Sequence, residues 1–156
     1  MSNDAQFEDG REVPLNLGAV DVEDLKVMSS LIQDAVFPIT EMSWQRTRRS
    51  FALLLNRFRW EDEGRSRHGA ERVQSVLAFD DVLSVSSQGI QQTDCSLVLS
   101  LLNLDFVSTD ETSGSIMLNL AGDGAIRLDV ETIAVTLKDV TQPYVALSGQ
   151  EPRHFV

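Results

Sequence analysis

Apolar and polar positions alternate along most of this chain, and at one place they recur most clearly at three- and four-residue spacing. That place begins at Asp21. Val22, Leu25, Met28, Ile32 and Ala35 share one face, with Leu31 and Val36 widening the stripe. Asp21 suits an N-cap, and Glu23 and Asp24 suit the positive first turn. Pro38 pushes Phe37 out of helical geometry and should end the element. The spacing therefore predicts one main helix near the N-terminus.

The two-residue period governs the rest. Phe51-Ala52-Leu53-Leu54-Leu55 is apolar on both faces, as in a strand covered on both sides, and the helix is its natural cover. Beyond Leu55 one face turns cationic. Arg57 and Arg59 should emerge there from under the cover, while Phe58 and Trp60 stay against the core. Residues 39–44 pair with 50–60 as a hairpin across the polar loop Gln45–Ser50. Val13–Leu17 reads as a short edge strand, because proline is tolerated at an edge. Val73–Phe79 is a strand with Val73, Leu77 and Phe79 inward. Asp80-Asp81 is a turn, Val82–Ser86 resumes the strand, and Gly89 closes it. Leu97–Val107 is strongly apolar, and its first part fits either a helical turn or a strand. Residues 115–120 and 125–131 form a hairpin around Gly122-Asp123-Gly124. Residues 132–140 fit both periods, and their β-branched density favours a strand. The expected fold is α+β: a curved antiparallel sheet or partial sandwich of roughly seven strands with one main helix.

Length and composition add boundaries. At 156 residues, a single domain over 13–145 is expected, with a disordered acidic segment at 1–12 and a tail at 146–156. Glu61–Gly69, charged and without an apolar residue, reads as a loop. No stretch approaches the roughly 18 apolar residues of a membrane span. The N-terminus carries no apolar signal run. The single cysteine, Cys95, suits a reducing compartment. A cytoplasmic protein is expected.

The net charge of −11 argues against general affinity for nucleic acid. The charge is uneven, however. Between Arg46 and Arg72 stand eight arginines and four acids, a window of +4 that leaves −15 for the remainder. Arg46, Arg48, Arg49, Arg57 and Arg59 are the candidates for an anion-binding rim.

Catalytic chemistry is hard to find. The only histidines are His68 and His154, neither in a recognisable motif with Cys95 or a serine. Too few His and Cys exist for a metal centre of those ligands. Asp80, Asp81 and Asp123 are the acids to inspect for a carboxylate cation site, and turn geometry explains each. Gly122-Asp123-Gly124 lacks the lysine and hydroxyl residue of a phosphate loop. The residues imply no cofactor and lean away from an enzyme.

Phe51 to Glu61 (F-A-L-L-L-N-R-F-R-W-E) resembles the hallmark segment of a family of short uncharacterised alphaproteobacterial proteins, a domain of unknown function. Phe79-Asp80-Asp81-Val82-Leu83-Ser84-Val85, Gly89-Ile90 and Leu99-Ser100-Leu101-Leu102 fit it too, as do Gly124 to Glu131 and Leu137-Lys138-Asp139-Val140. The resemblance covers about residues 15–145. It implies a bacterial cytosolic protein and carries over no catalytic residue. Three functions stay in play: an interaction module that self-associates, a pocket for an anionic small molecule held by the arginines, and, last, nucleic-acid contact through the basic hairpin.

Overall fold

The computed structural model describes residues 14–60, 71–90, 95–140 and 144–145. The helix, α1, spans Val22–Leu31. Asp21 caps it, its Oδ1 accepting the Asp24 N–H at 2.8 Å, and Asp24 Oδ2 accepts the Val20 N–H at 3.2 Å. One orphan donor of the first turn is thus met, and the residue before the cap is tied back to that turn.

The helix stops earlier than its apolar stripe suggested. The Ile32 N–H turns back to Ser29 O, and Asp34 takes φ 65°. Residues Val36–Pro38 then form β2, wedged between two longer strands. Pro38 thus closes a strand, not the helix.

Among the described residues there are ten strands of at least three residues and an eleventh of two, more than the seven or so expected. They are β1 (Asn16–Ala19), β2, β3 (Met42–Gln45), β4 (Ser50–Phe58), β5 (Glu71–Phe79), β6 (Val82–Gln88), β7 (Val98–Ser108), β8 (Gly114–Leu120), β9 (Ala125–Val130), β10 (Val135–Asp139) and β11 (Tyr144–Val145). The excess comes from short pieces. Ile39–Glu41 is a 3-10 turn, so only Met42–Gln45 pairs with Ser50–Leu53 in the expected hairpin.

All strand pairs are antiparallel, in one unclosed sheet ordered β1-β10-β5-β4-β2-β7-β8-β9-β6; β3 pairs with β4, and β11 with β5. β2 is the narrow join between two broader halves: Val36 faces Asn56 on one side and Ser100 on the other. Both halves turn apolar faces to one core, which holds Phe51, Leu53 and Leu77 from one and Ile116, Leu118 and Leu128 from the other. The helix packs against β1 and β7 and adds Leu25 and Met28 to that core. It was expected over β4. The Ser29 Oγ of α1 accepts the Leu104 N–H of β7 at 2.9 Å, which fixes it there. Val22, counted in the apolar stripe, is exposed.

At β4 the pleat decides what is buried. Phe51, Leu53 and Leu55 point inward, while Ala52 and Leu54 are half-buried. The inward face continues through Arg57, which is 0% exposed, and Arg59, at 6%. Phe58 and Trp60 take the half-buried side. The expectation for this end of the strand is therefore reversed: the two guanidinium groups go in, and the rings lie partly in solvent. The expected segments 1–12, Glu61–Gly69 and 146–156 lie outside the described residues.

Candidate functional site

The five arginines proposed as a rim fall into two groups at opposite ends of β4. Arg46 and Arg48 lie exposed in the 3-10 turn before the strand. Arg48 Nη1 donates to Gln45 Oε1 at 3.1 Å. Arg49 ends the turn at φ 54° and pairs with Glu131 at 3.1 Å. Arg57 stands eight residues further on, about 26 Å along an extended chain. The structure does not bring the five into one clamp.

Arg57 is the centre of a buried polar network. Its Nη2 donates to both carboxylate oxygens of Asp139, at 3.1 and 3.2 Å, and its Nε to Ser75 Oγ at 3.1 Å. Its Nη1 donates to the Phe58 carbonyl at 3.1 Å. Ser75 Oγ donates to Asp139 Oδ1 at 2.7 Å. Asp139 Oδ2 also accepts the Leu15 N–H at 2.8 Å, and the Asp139 N–H returns a bond to the Leu15 carbonyl at 2.9 Å. The sheet register explains the meeting. Leu55, Ser75 and Asp139 stand in one row across β4, β5 and β10, and Arg57 is the next inward residue on β4. The network ties the chain before β1 to β10. Beside it, Arg59 Nη1 pairs with Glu71 Oε1 at 2.9 Å. Arg72 lies over the Phe58 ring, 3.8 Å from its centroid, and donates to Asn56.

The acids singled out for a cation site are turn residues. Asp81 and Asp123 have φ of 58° and 70°. The Asp80 N–H is bound by the Ala134 carbonyl, and the Asp81 carbonyl takes the Glu131 N–H. Among the described residues no three His, Cys, Asp or Glu side chains gather as metal ligands. Cys95 is exposed, and His68 and His154 lie outside the described residues.

A groove that sequence reasoning missed lies on the outer face of β6, β9, β8 and β7. Its volume is about 320 Å³, and its lining includes Ser86, Gln88, Val107, Ser115, Met117 and Arg127. Register places Arg127 between Ser86 and Met117 on neighbouring strands. Asp129 stands one pleat away. Its Oδ1 accepts from Ser115 Oγ at 2.7 Å and Arg127 Nε at 2.9 Å, and its Oδ2 from Ser84 Oγ at 2.8 Å. The Ser115 hydrogen bond, helped by those from Ser84 and Arg127, holds this carboxyl below its ordinary value despite partial burial. Among the described residues, Nη1 and Nη2 of Arg127 make no hydrogen bond or ion pair. The visible signal was Arg127-Leu128-Asp129, opposite charges on the outward side of an otherwise apolar strand.

These features define a small α+β domain built on an unclosed antiparallel sheet that carries, among the described residues, a buried ion-pair network and an outward polar groove. The chain belongs to the family described as "Protein of unknown function (DUF2948)", which matches residues 15–154. No curated protein and no solved structure matches it. Among the described residues no helix is long and apolar enough to cross a membrane.

Proposed function

We propose that this domain is a non-enzymatic interaction module that self-associates, and that strand β6 is its contact. One observation carries the reading. β6 ends the strand order and pairs only with β9 among the described residues. Its sequence, Val82-Leu83-Ser84-Val85-Ser86-Ser87-Gln88, holds no charge and no proline. Open edges in soluble proteins are normally blunted by lysine, proline or brevity. The opposite edge follows that rule: β1 has four residues and starts just after Pro14. β6 has seven; the Val82 N–H is taken by the Arg49 carbonyl at 3.0 Å, and Leu83 forms a bulge and is 46% exposed, which leaves Ser84–Gln88 as the open edge.

A second copy of the chain is the natural occupant. Two bodies that each carry −11 repel one another, so a stable contact must form where charge is absent. An antiparallel β6–β6 pair about a two-fold axis is isologous and places no like charges opposite each other. A cytosolic bacterial setting, with Cys95 kept as a thiol, accords with this reading.

Sedimentation velocity at tens of micromolar tests it. The expected result is a concentration-dependent dimer that Leu83→Lys or Ser86→Lys reduces to monomer with an unchanged circular dichroism spectrum. A strict monomer at these concentrations, or a dimer indifferent to both lysines, refutes it.

A further inference from the structure

The groove over β6, β9, β8 and β7 is a second feature, on the outer face of the sheet, and shares Ser86 and Gln88 with the β6 edge. At about 320 Å³ it falls at the small end of ligand-sized cavities. Its chemistry is one-sided. Asp129 is already met by two hydroxyls and by Arg127 Nε, so its charge is answered within the protein. The Nε bond to Asp129 orients the half-exposed guanidinium of Arg127. The edge left over carries Nη1 and Nη2, two parallel donors spaced for a carboxylate. Ser86 adds a hydroxyl on the neighbouring strand, and Gln88 an amide. Opposite the donors, Met117 and Val107 supply apolar surface, with the flexible thioether able to follow an aliphatic chain.

We propose that this groove binds a small monocarboxylate with a short apolar chain. The carboxylate lies on the Nη1/Nη2 edge of Arg127, and the chain lies over Met117 towards Val107. A single negative charge fits better than a phosphate dianion. Asp105 stands in the same row, one strand beyond Met117, where its Oδ2 accepts from Asn119 Nδ2 at 3.0 Å. It is exposed and, among the described residues, forms no ion pair, so it penalises each added negative charge on the ligand.

Hexanoate is the probe, titrated into the isotopically labelled full chain and followed by amide NMR. The Leu83→Lys variant is the host, so that binding is read apart from self-association at β6. The expected result is saturable shifts centred on Ser86, Ser115 to Met117 and Ala125 to Arg127. Arg127→Gln should weaken binding about ten-fold, the loss of a bidentate charged pair at a half-open site. Arg127→Lys should recover only part of that. Hexanol and hexyl phosphate should both bind more weakly than hexanoate. Absence of saturable shifts, shifts centred on the Arg46–Arg49 turn, or equal binding by Arg127→Gln overturns the proposal. Tighter binding of hexyl phosphate overturns the carboxylate assignment. Either failure leaves the β6 reading standing, because the host lacks that contact.

Discussion

Asp139→Ala is the sharpest test of how this fold is held together. Both partners of the Arg57–Asp139 pair are out of solvent, with side chains 0% and 1% exposed. Removing the carboxylate takes two hydrogen bonds from Arg57 Nη2, one from Arg57 Nε at 3.3 Å, one from Ser75 Oγ and one from the Leu15 N–H. The Ser75 hydroxyl and the Phe58 carbonyl stay in place, but the carboxylate charge that faces the guanidinium is gone. Breaking a buried pair from one side costs about 3–5 kcal/mol. Domains of this kind hold roughly 5–15 kcal/mol in all, so the variant should lose about a fifth or more of its stability. With a urea slope near ~2 kcal/mol per molar, the midpoint should fall by about 1.5–2.5 M. Urea unfolding followed by Trp44 and Trp60 fluorescence measures this, best in the Leu83→Lys background so that dimerisation does not enter. The partner experiment is Arg57→Met with Asp139→Leu. Removing both charges removes the need for compensation, so the double variant should recover most of the loss. A single Asp139→Ala variant within about 1 kcal/mol of the parent, or a double variant no better than the single, would show that the pair is not desolvated as described.

Two further substitutions probe the other half of the sheet. A β-carbon at Gly114 would run into the Val107 carbonyl oxygen and the Phe106 ring, and the backbone oxygen cannot step aside. Gly114→Ala should therefore cost about 1–3 kcal/mol, read as a lower thermal midpoint in calorimetry; an unchanged midpoint counts against the β7–β8 register. Asp129 titrates below its ordinary value, with the Ser115 hydroxyl as the leading cause. A carboxyl depressed in the folded state stabilises above the unfolded-state value near ~3.9 and loses that contribution as pH falls through its folded value. Ser115→Ala should move the Asp129 carboxyl titration, followed by carbon NMR, upward; no movement refutes the assignment.

Much of the fold was legible because the two periods are clean. Ile116, Leu118 and Leu120 against Ile126, Leu128 and Val130 gave the β8–β9 hairpin, with Leu118 opposite Ile126 as alternation requires. Asp21 marked the helix start. The helix end was not legible, because Ile32, Ala35 and Val36 are buried or half-buried for different reasons. Ile32 belongs to the helix cap, Ala35 to a turn bonded to Leu101, and Val36 to β2. A continuous apolar stripe cannot distinguish one element from three that face the same core. The position of α1 depends on which strands lie beside it, and that follows from strand order, which local periodicity does not encode.

The buried arginines show where a stricter use of the same rule would have gone further. On β4 the inward series runs Phe51, Leu53, Leu55, Arg57; on β5, Val73, Ser75, Leu77, Phe79; on β10, Val135, Leu137, Asp139. Each series carries a polar residue at a position the pleat sends inward, and two of them bear opposite charges. Placed side by side, these strands demand a pair. The local charge sum concealed it. The window from Arg46 to Arg72 totals +4 only because Asp139 and Glu131, which answer Arg57 and Arg49, lie far along the chain. A cationic stretch is evidence for an anion site only after each guanidinium has been asked where its strand sends it. By that test Arg57 belongs to the core and Arg49 to a surface ion pair, whereas Arg127, from a stretch with no excess of charge, lines a groove with Nη1 and Nη2 unbonded among the described residues.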